Sequence, residues 1–120
     1  MNKVLVIDDD DLVLKSIAVI LKKQGYEYQL ATNAEQAIQK ASEIEFDIIL
    51  SDIRMPIVNG VDAVRKIQAR RKASHKKELP VIFITGFAED GVKLKAEGLG
   101  EIMRKPFDLE QLMMTVREYL

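Results

Sequence analysis

Three carboxylates, one hydroxyl and one ammonium stand where apolar segments of this 120-residue sequence end. They belong to Asp8, Asp9, Asp52, Thr85 and Lys105. Two carboxylates about 4 Å apart repel each other by roughly 4 kcal/mol at an effective dielectric constant of about 20. Three carboxylates in one cleft therefore have raised pKa values or bind a cation. If the fold brings these residues together, we expect a bound divalent metal ion.

The available ligands favour a hard cation. None of these positions holds His or Cys, and oxygen ligands alone select an ion such as Mg²⁺, which keeps several water molecules and takes one or two carboxylates. Coordination positions then remain for a phosphoryl oxygen. A carboxylate can act as the nucleophile in phosphoryl transfer, while metal, ammonium and hydroxyl stabilise the equatorial oxygens. The residue types therefore indicate phosphoryl transfer to an aspartate.

An alternation of strand and helix patterns positions these side chains. Apolar runs predict strands at 3–7, 26–31, 47–51, 81–85 and 101–103, and helical spacing or capping residues predict helices at 12–24, after Asn33, at 61–71, near 89–97 and from 109. Five such alternations imply a doubly wound α/β fold with one five-stranded parallel sheet, right-handed crossovers and five flanking helices. Ligands bind such a sheet beyond the carboxyl ends of its strands, where the five polar residues lie.

Length and composition favour a single domain over residues 1–120. A chain of this length buries roughly two-thirds of the surface that its unfolded form exposes, enough for one hydrophobic core. The sequence has no cysteine, which excludes a disulfide scaffold and a zinc-thiolate site and is compatible with the reducing cytoplasm. No segment has the length and apolarity of a membrane span, and the N-terminus lacks the pattern of a signal peptide. We therefore expect a cytoplasmic protein without a membrane partner.

One charge cluster stands out from a nearly neutral total of 18 Lys and Arg against 19 Asp and Glu. Seven of these bases lie between Arg65 and Lys77, a segment without acids. Such a run is most often a solvated helix end and loop. Nucleic-acid binding would need aromatic stacking partners or a recognition helix, and neither lies near it. We predict no nucleic-acid partner.

Four segments, taken jointly and in this order, form a specific pattern: VLVIDDD at 4–10, LSDIRMPIVNG at 50–60, VIFITG at 81–86 and RKPFD at 104–108. Through them the chain resembles, from end to end, the receiver domains of two-component response regulators. The resemblance implies a flavodoxin-like sheet with strand order 2-1-3-4-5.

The resemblance also implies a role for each site residue. Asp52 would be the phosphoacceptor, and Thr85 and Lys105 would contact the phosphoryl group. The implied Mg²⁺ ligands are Asp8, Asp9, Asp52 and the backbone carbonyl of Arg54. The peptide bond between Lys105 and Pro106 would be cis, and Pro56 and Gly60 would shape the loop after the acceptor. Arg54 and Phe87 occupy positions that tune dephosphorylation in similar domains.

The sequence departs from the family pattern in two places. Ile102 occupies a position that usually holds an aromatic residue, whose inward swing accompanies the shift of the hydroxyl at Thr85. The segment between Thr85 and Lys105 is slightly short and contains Gly86, Gly91, Gly98 and Gly100. Since a glycine inside a helix costs roughly 1 kcal/mol relative to alanine, we predict a short or mobile fourth helix and signalling through another surface.

The implied function is phosphorelay signalling. Asp52 would accept a phosphoryl group from a histidine kinase or a histidine phosphotransfer protein, and the domain would catalyse its own phosphorylation and dephosphorylation without turning over small substrates. The output would be a changed affinity for an unidentified downstream protein. Leu12 and Val19 project away from the apolar stripe of the first helix. They are either isolated exposed apolar residues or a docking surface for the phosphodonor.

Two other functions compete with this one. The run VLVIDDDD also fits a phosphohydrolase of the haloacid dehalogenase type with Asp8 as nucleophile, although the short chain and the loop after Asp52 argue against it. The second is a phosphorylation-independent receiver-like binding module. The complete set of site residues argues against this module, whereas Ile102 favours it.

Overall fold

The computed structural model describes residues 2–87, 89–90, 93 and 97–120. Five strands and four helices occur in these residues. In chain order they are β1 (Lys3–Ile7), α1 (Asp11–Lys23), β2 (Glu27–Ala31), α2 (Ala34–Glu43), β3 (Ile48–Asp52), α3 (Gly60–Ala73), β4 (Val81–Thr85), β5 (Glu101–Arg104) and α4 (Leu109–Tyr119). We predicted five helices and find four; the additional one, near Glu89 to Glu97, falls on a segment that lies partly outside the described residues.

All strands run parallel, in the order β2-β1-β3-β4-β5. This order confirms the predicted doubly wound, flavodoxin-like topology. The three central strands, β1, β3 and β4, are the most apolar and are almost completely buried, as expected for parallel strands covered on both faces. The two edge strands, β2 and β5, are partly exposed.

Alternate residues of the central strands contribute to two separate apolar layers, one on each face of the sheet. Leu5, Ile49 and Phe83 face a cluster that includes Val64 and Ile67 of α3. On the opposite face, the apolar residues of β1, β3 and β4 pack against α1 and α4. Each fully buried Leu, Ile or Phe side chain contributes roughly 1.5–3 kcal/mol of transfer free energy. The two layers therefore hold the central strands, and the residues at their carboxyl ends, in fixed positions.

Side-chain caps begin the helices at the positions that the sequence indicates. Oδ1 of Asp10 accepts a hydrogen bond from the backbone nitrogen of Leu12 at 2.9 Å, so Asp10 caps α1, as an aspartate after a strand commonly does. Asn33 and Asp108 cap α2 and α4 in the same way. Among the described residues, no helix is long and apolar enough to cross a membrane.

The buried face of α1 includes Leu14, Ile17 and Ala18, while Val13 and Ile20 are only half-buried. Leu12 and Val19 remain on the opposite, exposed face.

Candidate active site

The ends of β1 and β3 bring three carboxylates together. These strands are neighbours, and the pairing of Ile7 with Ser51 places Asp8 beside Asp52. Carboxylate oxygens of Asp8, Asp9 and Asp52 all lie within 4.8 Å of one another. Asp8 and Asp52 are buried, whereas Asp9 is exposed. The site is thus a cleft at the carboxyl edge of the sheet with one acid at its mouth.

Lys105 provides positive charge beside the two buried acids. Its Nζ lies 3.2 Å from Oδ2 of Asp8 and 3.3 Å from Oδ1 of Asp52. The backbone nitrogen of Lys105 donates to the carbonyl oxygen of Thr85 at 2.8 Å, which fixes the end of β5 against β4. The peptide bond from Lys105 to Pro106 is cis, in agreement with the resemblance. One ammonium therefore contacts two carboxylates.

The two oxygens of Asp52 have different surroundings. Oδ1 accepts from the backbone nitrogen of Ile53 at 3.0 Å and contacts Lys105. Oδ2 accepts no hydrogen bond from the described residues. Asp8 is held by both of its oxygens, since Oδ1 accepts from the nitrogen of Asp10 at 2.9 Å and Oδ2 accepts from Lys105. Asp52 is thus the buried carboxylate that is oriented through one oxygen, while its other oxygen takes no hydrogen bond from the described part of the chain.

Burial and charge repulsion disfavour two ionised acids in this cleft. Burial, followed by the charge of Asp8, raises the pKa of Asp52 to about 6. Burial also raises the pKa of Asp8, against the opposing effects of the Asp10 backbone and Lys105. Burial alone would lower the pKa of Lys105, but the charges of Asp8 and Asp52 outweigh it and the pKa is raised. Burial and repulsion thus oppose full ionisation of the acids, and a bound cation would favour their charged form.

The chemistry of the donors fits a magnesium ion. Carboxylate oxygens of Asp8, Asp9 and Asp52 are hard ligands that lie close enough together to share one ion, and Mg²⁺ takes such ligands while keeping water at its other positions. A divalent cation would also offset the negative charge of Asp8 and Asp52, whose ionisation burial disfavours. The residues present therefore fit the predicted metal.

The loop after β3 folds back onto the end of that strand at Gly60. The nitrogen of Gly60 donates to the carbonyl oxygen of Ile53 at 2.7 Å. A Cβ atom built on Gly60 would overlap the carbonyl oxygen of Asp52 and lie 2.5 Å from Oγ of Ser51. Ser51 in turn donates to that same carbonyl oxygen at 2.8 Å. Gly60 was singled out in the sequence, but the contribution of Ser51 was missed because a serine inside a strand gives no signal of its own.

Thr85 lies at the end of β4, and its hydroxyl is engaged with its own loop. Thr85 is buried, and its Oγ1 accepts from the backbone nitrogen of Phe87 at 3.0 Å. Strand pairing places Thr85 next to Arg104 of β5 and one residue beyond the partner of Asp52. The structure thus brings Thr85 to the same edge of the sheet as the acids and Lys105, with its hydroxyl turned to the loop after β4.

The side chain of Arg54 crosses from the loop after β3 to the loop after β4. Its Nε lies 2.8 Å from Oδ2 of Asp90, and its Nη2 lies 3.4 Å from Oε1 of Glu89. The guanidinium carbon stands 3.6 Å above the ring of Phe87. The sequence drew attention to Arg54 and Phe87 separately. Their contact was missed because it joins residues more than 30 positions apart without any periodic signal.

The remaining predicted features lie away from the cleft. The basic segment is partly neutralised by distant acids, because Arg71 and Lys76 both pair with Glu45 and Arg65 pairs with Glu97. Ile102 is half-buried and packs against the apolar layer that contains Phe83. Leu12 and Val19 of α1 are 75% and 63% exposed, which leaves both interpretations of these residues open.

Comparisons with known proteins agree with this architecture. Residues 4–117 match the family described as the response regulator receiver domain. The regulatory protein AtoC of Escherichia coli (strain K12) is 33% identical over 122 residues, which cover 100% of this chain and 25% of AtoC. This chain spans about a quarter to just over half of the length of the first curated relatives that it matches.

Two solved structures show the same fold over the whole chain. The chemotaxis protein CheY4 of Vibrio cholerae has a TM-score of 0.86 and 32% identity, and the match covers 100% of this chain and 99% of CheY4. The response regulator TrrA of Thermotoga maritima, in complex with Mg²⁺ and BeF, has a TM-score of 0.86 and 26% identity, with 100% of both chains covered. Both are similar to this chain in fold and in sequence.

Proposed function

Since this chain belongs to the response regulator receiver domain family, and thus to the proteins of phosphorelay signalling, we propose that Asp52 is the residue that accepts the phosphoryl group. One observation carries the proposal: Asp52 is the buried carboxylate whose Oδ1 is fixed by Ile53 and Lys105 while its Oδ2 takes no hydrogen bond from the described part of the chain. A nucleophile needs such an oriented and available oxygen.

The transfer step is a displacement at phosphorus. Oδ2 of Asp52 attacks the phosphorus atom of a phosphoimidazole, the P–N bond breaks, and the imidazole nitrogen keeps the bonding electron pair. The product is an aspartyl phosphate, which water later hydrolyses to restore the carboxylate. In this way the domain promotes its own phosphorylation and dephosphorylation. Positioning and charge stabilisation account for most of the catalysis in such a step.

The ligands of the implied magnesium ion are Asp8, Asp9, Asp52 and the backbone carbonyl of Arg54. The close approach of the three carboxylates supports the first three, and the position of Arg54 in the loop after β3 supports the fourth. When bound, the ion offsets negative charge on the acids and on the phosphoryl oxygens. Asp8 and Asp52 are held by hydrogen bonds from the Asp10 and Ile53 backbone, which keeps the carboxylates oriented for this task.

Lys105 and Thr85 act on the transferred group. In this structure Lys105 already contacts Oδ1 of Asp52, so its ammonium lies where negative charge accumulates on transfer. The hydroxyl of Thr85 is directed at the carbonyl oxygen of Phe87, at 3.4 Å, and must turn away from it to donate to a phosphoryl oxygen. Phosphorylation therefore favours a second arrangement of the loop after β4 through interactions that are absent from the first.

The partners follow from this chemistry. Receiver domains take their phosphoryl groups from histidine kinases or phosphotransfer proteins, and we propose a donor of this kind for Asp52. The exposed Leu12, in the first turn after the acidic loop, supplies apolar surface beside the cleft for that donor. The output is a changed affinity for a downstream protein.

The other two candidate functions differ in their support. Membership in the receiver family rules against the phosphohydrolase of the haloacid dehalogenase type, and Asp8, its proposed nucleophile, has both oxygens engaged by Asp10 and Lys105. The phosphorylation-independent binding module keeps one supporting observation, the aliphatic Ile102 packed where an aromatic residue would move.

Intact mass spectrometry after incubation with acetyl phosphate tests the proposal. We expect one phosphoryl adduct that requires Mg²⁺ and is absent from Asp52→Asn. The matched control is Asp47→Asn, an acid at the opposite end of β3 that bonds the backbone of Lys3. An adduct that persists in Asp52→Asn would contradict the assignment. A folded wild-type protein that takes up no phosphoryl group from either acetyl phosphate or a phosphohistidine donor would favour the binding module.

A further inference from the structure

The Arg54 side chain connects the two loops that flank the acceptor. Arg54 belongs to the loop after β3, two residues from Asp52, and its guanidinium bonds both oxygens of Asp90 at 2.8 and 3.3 Å. Glu89 receives a further bond at 3.4 Å. Asp90 and Glu89 belong to the segment after β4. A planar guanidinium with two bonds to one carboxylate has a defined orientation, so this contact favours one arrangement of the two loops.

Phe87 extends this contact to the Thr85 hydroxyl. The Arg54 guanidinium lies 3.6 Å from the centroid of the Phe87 ring, in the range of a cation–π interaction. The backbone nitrogen of the same Phe87 donates to Oγ1 of Thr85 at 3.0 Å. The Thr85 hydroxyl also faces the carbonyl oxygen of Phe87 at 3.4 Å. The phenyl ring and the backbone bond belong to one residue, so holding the ring also restricts the hydroxyl.

We propose that Arg54 is a positioning residue that holds Thr85 in its unphosphorylated arrangement through Phe87 and Asp90. This inference rests on the proposed function of Thr85 and adds the interaction that opposes its movement. For Oγ1 of Thr85 to turn to a phosphoryl oxygen, its hydrogen bond with the Phe87 nitrogen must break, and Arg54, by holding Phe87 in place, stabilises that bond. The Arg54–Phe87–Asp90 contact therefore sets the fraction of molecules that are ready to bind a phosphoryl group.

The contact between Arg54 and Phe87 matters more in this chain because Ile102 is aliphatic. The half-buried Ile102 packs into the apolar layer around Phe83 and has no aromatic ring whose rotation could report the movement of Thr85. The contact of Arg54 with Phe87 lies at the surface of the loop after β4, since Phe87 is 44% exposed. In this chain the aromatic residue near the Thr85 hydroxyl is Phe87, and its ring contacts the guanidinium of Arg54.

Hydrogen exchange of the Phe87 amide tests the contact in the unphosphorylated protein. We expect Asp90→Asn, Arg54→Gln and Phe87→Leu each to speed exchange of this amide, by about two- to tenfold, because exposed ion pairs and cation–π contacts have energies of that order. The matched control is Glu97→Gln, which breaks an ion pair of 2.6 Å with Arg65 in the same part of the fold. Equal exchange in the wild type and the first three variants would overturn the inference.

The affinity for beryllofluoride, a tetrahedral mimic of the phosphoryl group, gives the second readout. With Mg²⁺ present, we expect the Asp90→Asn variant to bind beryllofluoride more tightly, by about two- to tenfold, because a larger fraction of the protein already has the competent arrangement. The double variant Arg54→Gln with Asp90→Asn should bind no more tightly than either single variant. Weaker binding in Arg54→Gln would make Arg54 a direct ligand of the phosphoryl group and overturn the inference.

The two measurements separate this inference from the function on which it rests. Faster exchange at Phe87 without any beryllofluoride binding by the wild type would retain the contact but remove its role in phosphorylation, and the proposed function would fail with it. Normal beryllofluoride binding with unchanged affinities in all variants would leave the proposed function intact and remove only the role of Arg54.

Discussion

The ammonium nitrogen of Lys105 lies 3.3 Å from Oδ1 of Asp52 and leaves Oδ2 of the same carboxylate without a hydrogen bond from the described residues. This relationship gives the acceptor a fixed orientation and an available oxygen at the same time. It also leaves the site with more acids than bases, because Lys105 is shared with Asp8.

Replacing the acceptor should stabilise the metal-free protein. The pKa of Asp52 is raised to about 6, above its value in an unfolded chain, so the folded state binds the proton more tightly and loses stability as the pH rises from about 4 to about 6. Asp52→Asn removes this loss. After allowance for solvent screening we expect the variant to be more stable at pH 7 by about 1–2 kcal/mol.

Urea denaturation between pH 4 and 8 without Mg²⁺ measures this effect. The difference between the variant and the wild type should be small near pH 4 and reach its full size above pH 6. A difference that is independent of pH would show that repulsion at Asp52 is not its cause. Asp47→Asn, at an exposed acid, serves as the control.

Binding of Mg²⁺ should weaken as the pH falls through the pKa of Asp52. Protons and the metal ion compete for the same carboxylate oxygens, and burial raises the pKa values of both Asp8 and Asp52. We expect the affinity to fall by about tenfold for each unit of pH below about 6 when one proton is displaced. Isothermal titration calorimetry at several pH values would measure this, and an affinity that is constant from pH 7 to pH 5 would contradict it.

Removing the shared ammonium should destabilise the metal-free site. Lys105→Met leaves Asp8 and Asp52 without their positive neighbour, and an unpaired buried charge is costly, although the partial exposure of Lys105 moderates the effect to about 1–2 kcal/mol. Saturating Mg²⁺ should recover much of this loss. Thermal denaturation with and without Mg²⁺ tests the prediction, with Lys3→Met, which breaks an exposed pair with Glu27, as the control. A loss that Mg²⁺ leaves unchanged would contradict it.

A methyl group at Gly60 should disturb the acceptor loop. A Cβ atom at this position would overlap the carbonyl oxygen of Asp52, which is backbone and cannot rotate away. We expect Gly60→Ala to lose about 1–3 kcal/mol of stability and to slow phosphorylation of Asp52. Gly86→Ala is the matched control for stability, since nothing lies within 4 Å of a Cβ atom there. Equal stability of the two variants by urea denaturation would count against the close contact.

The sequence predicts those parts of the fold and site that depend on local patterns. Alternating strands and helices imply a parallel sheet, and the carboxyl edge of that sheet necessarily collects Asp8, Asp52 and Lys105. Helix caps such as Asn33 depend on neighbours within a few residues, so they too can be predicted from the sequence. Contacts between two loops are different. The ion pair of Arg54 with Asp90 joins residues 36 positions apart and rests on surface charges worth about 0–1 kcal/mol, so neither periodicity nor burial predicts it.

The exposed apolar face of α1 should matter only for a protein phosphodonor. Leu12 is 75% exposed and lies in the first turn of α1, close in sequence to Asp8 and Asp9. A charge at this position would disrupt an apolar contact with a docked donor but would leave the chemistry at Asp52 unchanged. We therefore expect Leu12→Glu to slow transfer from a cognate phosphohistidine protein by about tenfold or more, since loss of one buried apolar contact is worth about 1.5–3 kcal/mol. Phosphorylation by acetyl phosphate should proceed at the wild-type rate.

Met114→Glu, at an apolar residue of α4 that is 60% exposed, is the control. Unchanged transfer from the cognate donor would mean that Leu12 is an isolated exposed residue, and slowing with both donors would mean that the substitution disturbs the acidic loop itself.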